Sequence, residues 1–328
     1  MAVPTQSPDV ASGTPLPLVS QPSREEVLAA VRGRLDERKM TLAEAIAERD
    51  LYFRVSLVGA CNLSCAFCHN EGAPKEGKVK LEDVDVAIDA AVHAGFTRVQ
   101  FTGGEPLLRP DVAEFVRLGR SYVDDVGVTT NGVYLPRRID SLIDAGLARM
   151  HVSLQTESLI AAGSEQRWGI PPWLGPTVEL ASGGAFRLRV NLPVPADTLP
   201  QAEAFLHAVT SVGIDVKVFA VLPEGEVREE EYPLDRLEEM VERVNDSRRE
   251  GDRGSVLLRG YRPPEGVRCP TCPDRSRCME QSHSLRLGAD LTLRPCLATR
   301  GWDSSFDLGS AQGTVTEAAL LALDYRWQ

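Results

Sequence analysis

The sequence predicts an α/β fold with a parallel sheet, followed by a small cysteine-rich C-terminal domain. From Leu51 onward, apolar strand patterns alternate six times with amphipathic helix patterns. Repeated strand–helix units imply a parallel sheet, because each helix returns the chain to the same end of the sheet. The 328 residues, 43% of them hydrophobic, suffice for one large domain with an appendage.

Four successive regions are predicted along the chain. Residues 1–22 are rich in Pro, Ser and Thr, which predicts a disordered tail. Residues 23–50 carry the helical spacing of Val27, Val31 and Leu35, which predicts an N-terminal helical extension. Residues 51–254 form the predicted α/β domain, and the composition changes after about residue 255, where residues 255–328 form the cysteine-rich domain.

Six strands and six helices are predicted within the α/β domain. The strands lie near 51–58, 97–102, 125–130, 148–154, 186–194 and 214–222. The helices lie near 81–95, 110–123, 136–145, 174–183, 198–212 and 234–250. Because the strands are parallel, the segments that follow them meet at the carboxyl end of the sheet, where barrels of this kind place their active sites.

Three cysteines follow the first predicted strand. Cys61, Cys65 and Cys68 have C-x3-C-x2-C spacing, so three thiolates can hold three corners of an iron–sulfur cube and leave one iron open. An open iron can coordinate a small molecule and act on it. The alternatives are reduced structural thiols or a zinc site, although zinc takes four ligands, usually in C-x2-C pairs. His69 directly follows the third cysteine and is a candidate pocket wall or hydrogen-bonding group.

With the aromatic Phe67 before the third cysteine, the motif resembles the signature of the radical S-adenosylmethionine (SAM) enzymes. Three further segments resemble that family. They are Thr102-Gly103-Gly104-Glu105-Pro106, which is similar to its GGEP motif, Thr129-Thr130-Asn131-Gly132 at the next strand end, and Ser153 with Gln155 at the one after. Paired glycines allow close backbone approach, and Glu105 either accepts a hydrogen bond from an ammonium group or fixes the turn.

The resemblance implies a partial (β/α)6 TIM barrel of the radical SAM type. It implies SAM, a [4Fe–4S] cluster with an open iron, and an external one-electron reductant of the flavodoxin or ferredoxin type. SAM is cleaved reductively in such enzymes, and the 5′-deoxyadenosyl radical abstracts hydrogen from the substrate. The implied SAM-binding residues are Phe67, Gly103, Gly104, Glu105, Pro106, Thr130, Asn131, Ser153, Gln155 and Asn191.

The four remaining cysteines indicate a second metal site. Cys269, Cys272, Cys278 and Cys296 are spaced C-x2-C-x5-C-x17-C, and four thiolates can close a site. A structural zinc is one alternative. The setting resembles the twitch and SPASM extensions of radical SAM enzymes, which implies an auxiliary [4Fe–4S] cluster. The predicted hairpin over residues 284–296 resembles the last-ligand segment of the GTP 3′,8-cyclase family of the molybdopterin pathway.

The resemblance to the cyclase family covers most of Leu51 to Cys296. Arg54 and Arg286 match arginines that contact the nucleotide in that family, and Asn191 follows its pattern. Glu71 and His69 are further candidate pocket residues, and no catalytic residue is assigned beyond the cluster.

Departures from the cyclase pattern favour a different substrate. They are Ser284 in place of a second arginine, Gly59-Ala60 in place of Asp-Arg, Gln155 in place of Asp, Ala220 in place of Glu, the additional Cys278, and Tyr325-Arg-Trp-Gln328 in place of a terminal diglycine. Each charge-assisted contact contributes roughly 1.5–3 kcal/mol, so lost cations weaken triphosphate binding.

The leading hypothesis is therefore a radical SAM oxidoreductase or lyase acting on a small polar metabolite. We expect a nucleoside, nucleotide or sugar intermediate of natural-product biosynthesis that undergoes oxidation, decarboxylation or rearrangement. The alternatives are a SPASM-type peptide-modifying maturase, a GTP 3′,8-cyclase and an iron–sulfur electron carrier. A carrier has no reason to keep the GGEP segment and the polar strand ends.

Charge and composition restrict the classes of partner and the cellular compartment that are expected for the protein. The net charge of −11 and the isoelectric point near 5.1 argue against a nucleic-acid partner. The N-terminus lacks the pattern of a signal peptide, and no apolar run approaches the ~20 residues that span a bilayer. Seven cysteines grouped at ligand spacing fit a reducing compartment, so a cytoplasmic location without membrane attachment is expected.

Overall fold

The computed structural model describes residues 23–65, 68, 74–154, 171–195, 199–211, 214–221, 234–247, 256–259, 284–295 and 303–324. Several predictions fall outside these ranges. They concern the tail 1–22, Phe67, His69, Glu71, Gln155, Cys269, Cys272, Cys278 and Cys296.

In the described part of the chain, ten strands form one sheet. They are β1 (Tyr52–Ser56), β2 (Arg98–Thr102), β3 (Asp125–Thr130), β4 (Arg149–Ser153), β5 (Arg187–Pro195), β6 (Asp215–Val221), β7 (Val256–Arg259), β8 (Ser284–Leu287), β9 (Thr292–Arg294) and β10 (Ser304–Ser305). Their spatial order is β10-β9-β8-β1-β2-β3-β4-β5-β6-β7. Strands β1 to β7 run parallel in chain order, and β8 is parallel to β1. This is the wall of a partial TIM barrel.

Nine helices surround the sheet in the same described ranges. They are α1 (Arg24–Arg38), α2 (Leu42–Glu48), α3 (Leu81–Ala94), α4 (Val112–Tyr122), α5 (Leu135–Asp144), α6 (Leu174–Ser182), α7 (Leu199–Ser211), α8 (Leu234–Asp246) and α9 (Ala311–Asp324). The six strands and six helices predicted between residues 51 and 254 are confirmed to within a few residues at each end. The helical spacing of residues 23–50 is confirmed as α1 and α2.

Local sequence explains where the first two helices begin. Ser23 Oγ accepts from the Glu26 backbone N–H at 3.2 Å, and the Glu26 carboxylate accepts from the Ser23 N–H at 2.6 Å. Thr41 and Glu44 form the same reciprocal pair at the start of α2. Such capping boxes satisfy backbone donors that a helix leaves open at its start. The buried face of α1 then packs against α9, where Arg24 pairs with Glu317 at 3.0 Å.

The two faces of the sheet differ in character. On the outer face, the Phe53 ring lies 5.9 Å from that of Phe96, and the Phe101 ring lies 6.2 Å from that of Phe115 on α4. All four rings are buried in the core between sheet and helices. Successive strand residues point to opposite faces, so Arg54, next to Phe53, faces the barrel interior.

Part of the C-terminal region belongs to the same sheet. Strand β8 lies beside β1, with Arg286 opposite Arg54, and α9 packs against α3. The predicted hairpin over residues 284–296 is confirmed, since β8 and β9 pair in antiparallel register. The division of the chain into four domains stays a prediction. None of the helices in the described ranges is long and apolar enough to cross a membrane.

The outer aromatic layer predicts a clear stability effect. Phe101→Ala removes a fully buried ring that contacts Phe115, so we expect it to lower the free energy of unfolding by about 3–5 kcal/mol. Urea unfolding followed by circular dichroism measures the change. Leu308→Ala, at a side chain that is 49% exposed, should shift it by less than about 0.5 kcal/mol. Equal effects of the two substitutions would contradict the assignment of Phe101 to the core.

Candidate active site

The segment that carries the cysteines starts at the carboxyl end of β1, and its two ends pair with each other. The Gly59 N–H donates to the Gly77 carbonyl at 2.8 Å, and the Val79 N–H donates to the Leu57 carbonyl at 3.3 Å. An antiparallel bridge also joins Val58 to Lys78. Residues 57–59 and 77–79 therefore form a paired stem that fixes where the cysteine loop begins and ends.

The paired glycines dock against this stem. The Gly104 N–H donates to the Val58 carbonyl at 2.6 Å, and the Glu105 N–H donates to the Ala60 carbonyl at 2.9 Å. A Cβ at Gly103 would overlap the Val58 oxygen, and one at Gly104 would overlap the Ala60 oxygen. Gly103 also has a φ of 153°, which L side chains rarely adopt. The sequence predicted a close backbone approach to a ligand, and the observed approach is to the backbone that leads into the cysteines.

Glu105 joins the ends of β2 and β3. Its fully buried carboxylate accepts from the Leu107 N–H at 2.9 Å, the Thr130 hydroxyl at 2.7 Å and the Asn131 N–H at 2.7 Å. Burial raises the pKa of Glu105 to about 7, against the lowering effect of these three hydrogen bonds. These three hydrogen bonds fix the turn. A carboxylate can accept about four hydrogen bonds, so Glu105 has room for one more. Its contact with SAM stays a prediction.

Asn131 connects β3 back to the cysteine loop. Its side-chain Nδ2 donates to Asn62 Oδ1 at 2.9 Å and lies 3.9 Å from Cys61 Sγ. Its Oδ1 accepts from the Val133 N–H at 3.1 Å. The structure thus places Asn131 beside the first cysteine, as the order of the motifs predicts, while its role as a SAM contact stays a prediction.

The three cysteines lie at the carboxyl rim of the barrel. Cys61 and Cys68 are exposed, Cys65 is half-buried, and within the described residues none of the three forms a disulfide. Cys61 Sγ accepts from the Leu63 N–H at 3.4 Å, and burial is the main cause that raises the pKa of the Cys61 thiol. Backbone hydrogen bonds to the sulfurs are one means by which proteins tune iron–sulfur clusters.

Three thiols on one loop match the ligand number of a cluster with one open iron. Each thiolate of such a cluster binds a separate iron. The assignment of Cys61, Cys65 and Cys68 as ligands stays a prediction.

Arg109 holds both ends of the stem, and our sequence analysis did not single it out. Its Nη1 donates to the Leu57 carbonyl at 3.0 Å and to the Val79 carbonyl at 2.7 Å. Its other nitrogens bind Asp111 at 2.9 and 2.6 Å, and the guanidinium lies 4.4 Å from the centre of the Phe115 ring. The available signal was an arginine and an aspartate two residues apart, directly after the GGEP segment.

Ser153 and Asn191 lie side by side at the rim. They are opposite each other in the β4–β5 register, and both are half-buried. In the described part of the chain, neither side chain forms a hydrogen bond. The structure brings together two residues predicted to contact SAM and leaves their polar atoms available to a ligand.

Arg54 and Arg286, the two predicted pocket arginines, are neighbours inside the barrel. They are opposite each other in the β1–β8 register. Arg54 donates to the Thr102 hydroxyl at 3.3 Å, and Arg286 is only 7% exposed. The two arginines become neighbours because β8 pairs in parallel with β1. They are far apart in the sequence, which therefore does not show that they are neighbours.

Polar side chains close the amino end of the barrel. Arg149 pairs with Asp125 at 3.1 Å and donates to Gln100 Oε1 at 3.1 Å, while Gln100 Nε2 donates to the Thr129 hydroxyl at 3.0 Å. Arg187 also pairs with Asp125 at 2.8 Å. This network forms a floor below the rim.

His151 lies above this floor, and sequence analysis also missed it. Burial is the largest cause that holds the pKa of His151 well below its usual range, followed by Arg149, Arg189, Lys217 and Arg54. These cations come from β1, β4, β5 and β6, so they converge on one region of the interior. The alternation Arg149-x-His151-x-Ser153 along β4 was the available signal.

The rim of thiols above a polar barrel interior defines the protein class. Residues 55–159 match the Radical SAM superfamily. A probable GTP 3′,8-cyclase of Aeropyrum pernix is 32% identical over 266 residues, which cover 76% of this chain and 74% of that protein. The GTP 3′,8-cyclase of Listeria welshimeri is 27% identical over 276 residues, which cover 78% of this chain and 81% of that protein. The chain belongs to the radical SAM superfamily and is a radical SAM enzyme related to the GTP 3′,8-cyclases.

Solved structures show the same fold. Streptococcus suis SuiB bound to S-adenosylmethionine superposes with a TM-score of 0.59 at 17% identity, covering 81% of this chain and 67% of SuiB. SuiB bound to its precursor peptide SuiA gives 0.60 at 14% identity, covering 94% and 75%. Membership of the superfamily implies SAM and a [4Fe–4S] cluster as cofactors.

The glycine contact predicts a specific defect in cluster loading. Gly104→Ala forces the GGEP segment away from Ala60, so the cysteine loop loses its support. We expect the iron bound per chain after anaerobic reconstitution to fall by at least about two atoms, measured colorimetrically. The matched control is Gly313→Ala on α9, where a Cβ meets nothing within 4 Å. Full iron loading of the Gly104 variant would contradict the supporting role.

Loss of the Arg109 clamp should loosen the stem. Arg109→Met removes a charged donor from two buried carbonyls, of which that of Leu57 keeps the Val79 N–H, and we expect the free energy of unfolding to fall by about 1–3 kcal/mol. Release of iron to a chelator should also accelerate. Arg38→Met, which removes an exposed pair with Glu48, is the control and should change both quantities little. Unchanged iron release in the Arg109 variant would show that the clamp does not support the loop.

Proposed function

We propose that this radical SAM enzyme acts on a small polar metabolite that carries an anionic group. The proposed substrate is a nucleotide, or a nucleoside or sugar intermediate that carries a phosphate or carboxylate, of natural-product biosynthesis, which is oxidised, decarboxylated or rearranged. The observation that carries the proposal is the convergence of cations on His151 below the rim of cysteines. The departures from the cyclase pattern support a substrate other than GTP.

The proposed cofactor site is the carboxyl rim. Cys61, Cys65 and Cys68 would hold the cluster, with SAM between it and the polar ends of β3, β4 and β5. When bound, the cluster supplies the electron that cleaves SAM and so yields the radical that abstracts hydrogen. The chain's own residues orient and shield: Asn131 steadies the loop at Cys61, and Ser153 offers an open hydroxyl to the ligand.

The proposed substrate site is the interior below that rim. Cations in a poorly solvated cavity repel one another, so an anion bound among them is stabilised. Two carboxylates lie near the floor: Asp125 is engaged by Arg149 and Arg187, and Asp215 is opposite Arg189 in the β5–β6 register. Arg189 forms no hydrogen bond or ion pair within the described ranges, which leaves its guanidinium available to a substrate.

A second candidate is GTP 3′,8-cyclase activity itself. The observation that favours it is that Arg54 and Arg286 are opposite each other in the β1–β8 register. Both match nucleotide-binding arginines of the cyclases that this chain resembles. Ser284 stands against it, because this uncharged residue occupies the position of a second arginine and lies opposite Tyr52. We therefore rank it below an anionic substrate with fewer charges.

The C-terminal cysteines complete the proposal. Cys269, Cys272, Cys278 and Cys296 would bind an auxiliary [4Fe–4S] cluster, with zinc as the alternative. An electron relay or a structural clamp fits a cluster whose irons all carry thiolates. The electron for the first cluster would come from an external flavodoxin or ferredoxin.

Anaerobic reconstitution tests the cofactor assignments. Iron content and dithionite-driven 5′-deoxyadenosine release are compared between the wild-type enzyme and the Cys61→Ala, Cys65→Ala, Cys68→Ala triple variant. We expect about eight irons per chain to fall to about four, with loss of deoxyadenosine. About four irons plus one zinc in the wild type would make the C-terminal site structural. No deoxyadenosine with any reductant would overturn the enzymatic proposal.

Deuterium transfer identifies the substrate class. Uniformly deuterated GTP, other nucleotides, sugar phosphates and uncharged nucleosides are incubated with the loaded enzyme, and deuterium in 5′-deoxyadenosine is measured by mass spectrometry. Transfer from an anionic sugar or nucleotide other than GTP is the expected result. Transfer from GTP with formation of a cyclised product would favour the second candidate, and transfer only from an uncharged compound would contradict the anionic substrate.

A further inference from the structure

His151 lies one layer below the proposed SAM site. Along β4, Ser153 and His151 point to the same inner face and are two residues apart, or about 7 Å. Ser153 is opposite Asn191 at the rim, and His151 is opposite Arg189 in the same register. A molecule beneath SAM would therefore meet His151 and Arg189 first.

Polar groups at this height retain unused hydrogen-bonding capacity. Within the described ranges, the ring nitrogens of His151 and the guanidinium of Arg189 form no hydrogen bond. Among the residues that the structure describes, Ser56 Oγ also has no hydrogen-bond partner, although Ser56 is only 2% exposed. Register places Ser56 opposite Thr102 on β2, and Thr129 opposite His151, so these residues lie at one level. Buried polar groups are normally paired, which points to a ligand at this level.

The surroundings of His151 favour an uncharged ring. Thr129 faces it from β3, Arg189 from β5, Lys217 from β6 and Arg54 from β1, with Arg149 on its own strand. Two carboxylates are also near: Asp125 lies at the amino end of β3, and Asp215 lies opposite Arg189 in the β5–β6 register. A neutral imidazole offers one N–H donor and one acceptor, and it adds no further positive charge to the group.

We propose that His151 is a substrate-binding residue whose ring N–H donates a hydrogen bond to an oxyanion, phosphate or carboxylate, that Arg189 neutralises. The proposal rests on the proposed function, because it assumes that an anionic substrate lies below SAM. It makes His151 a determinant of substrate specificity. Arg189 supplies the positive charge that neutralises the anion. The ring N–H of His151 sets the orientation of the anion, because His151 has a fixed position on a β-strand.

Anion binding by the reconstituted, SAM-bound enzyme tests the proposal. Sulfate and malonate serve as probes for phosphate and carboxylate, and the shift of the thermal unfolding midpoint at constant ionic strength gives each Kd. For the preferred probe, we expect His151→Phe and Arg189→Met to weaken binding about tenfold or more. His151→Asn keeps an N–H donor and should stay within about threefold. His93→Phe, at an exposed helix position, should change nothing.

The pH dependence separates a neutral donor from a charged one. Sulfate keeps its charge between about pH 5.5 and 8.5, so any change in its Kd reports on the protein. A neutral His151 gives a flat profile through pH 6.5, whereas a ring that gains a proton there would bind sulfate more tightly as the pH falls. Such a rise, or unchanged binding in His151→Phe, would overturn the proposal, as would failure of the wild type to bind either probe.

Uncoupled SAM cleavage separates this proposal from the proposed function. Dithionite-driven 5′-deoxyadenosine release needs no substrate, so it should stay within about twofold of wild type in His151→Phe. Its loss there would place His151 at the SAM site and overturn the assignment to substrate. Its absence in the wild type would count against the enzymatic proposal alone, because sulfate and malonate binding are measured without turnover.

Discussion

The backbone contact between Gly104 and Val58 is the constraint on which the rim depends. It joins the turn after β2 to the stem of the cysteine loop at a distance that no side chain permits. Glu105 extends the connection to β3, and Asn131 returns it to Cys61. The ends of β1, β2 and β3 and the start of the cysteine loop thus form a closed set of hydrogen bonds, which fixes their relative positions.

The polar interior is possible because the barrel is stabilised from outside. Residues such as Phe53 and Phe101 bury their side chains between sheet and helices, where the hydrophobic effect is large. The alternate residues on the same strands are then released from packing and can carry charge. Arg54 and Gln100 are opposite each other in the β1–β2 register and both use that freedom: Gln100 is engaged in the floor network, and Arg54 donates to the Thr102 hydroxyl.

The resemblance to the GTP 3′,8-cyclases is stronger at the rim of the barrel than in its interior. The motifs that resemble that family lie on loops at the rim, where the backbone geometry tolerates little change. Inside the barrel, the uncharged Ser284 lies where the cyclase pattern has a second arginine. A radical SAM rim can generate the same reactive species above many interiors, so the interior is where a change of substrate is expected to appear.

The sequence by itself determined the alternation of strands and helices, the order of the rim motifs and the cysteine spacing, because each of these is a pattern within a short stretch of neighbouring residues. It did not reveal Arg109 or His151, since neither belongs to a motif. Only the tertiary structure decided what surrounds them: Arg109 binds carbonyls on two separate segments, and His151 lies within the electrostatic influence of cations on four strands. The docking of β8 beside β1 was likewise decided by tertiary structure, because pairing between strands that are distant in sequence leaves no local pattern.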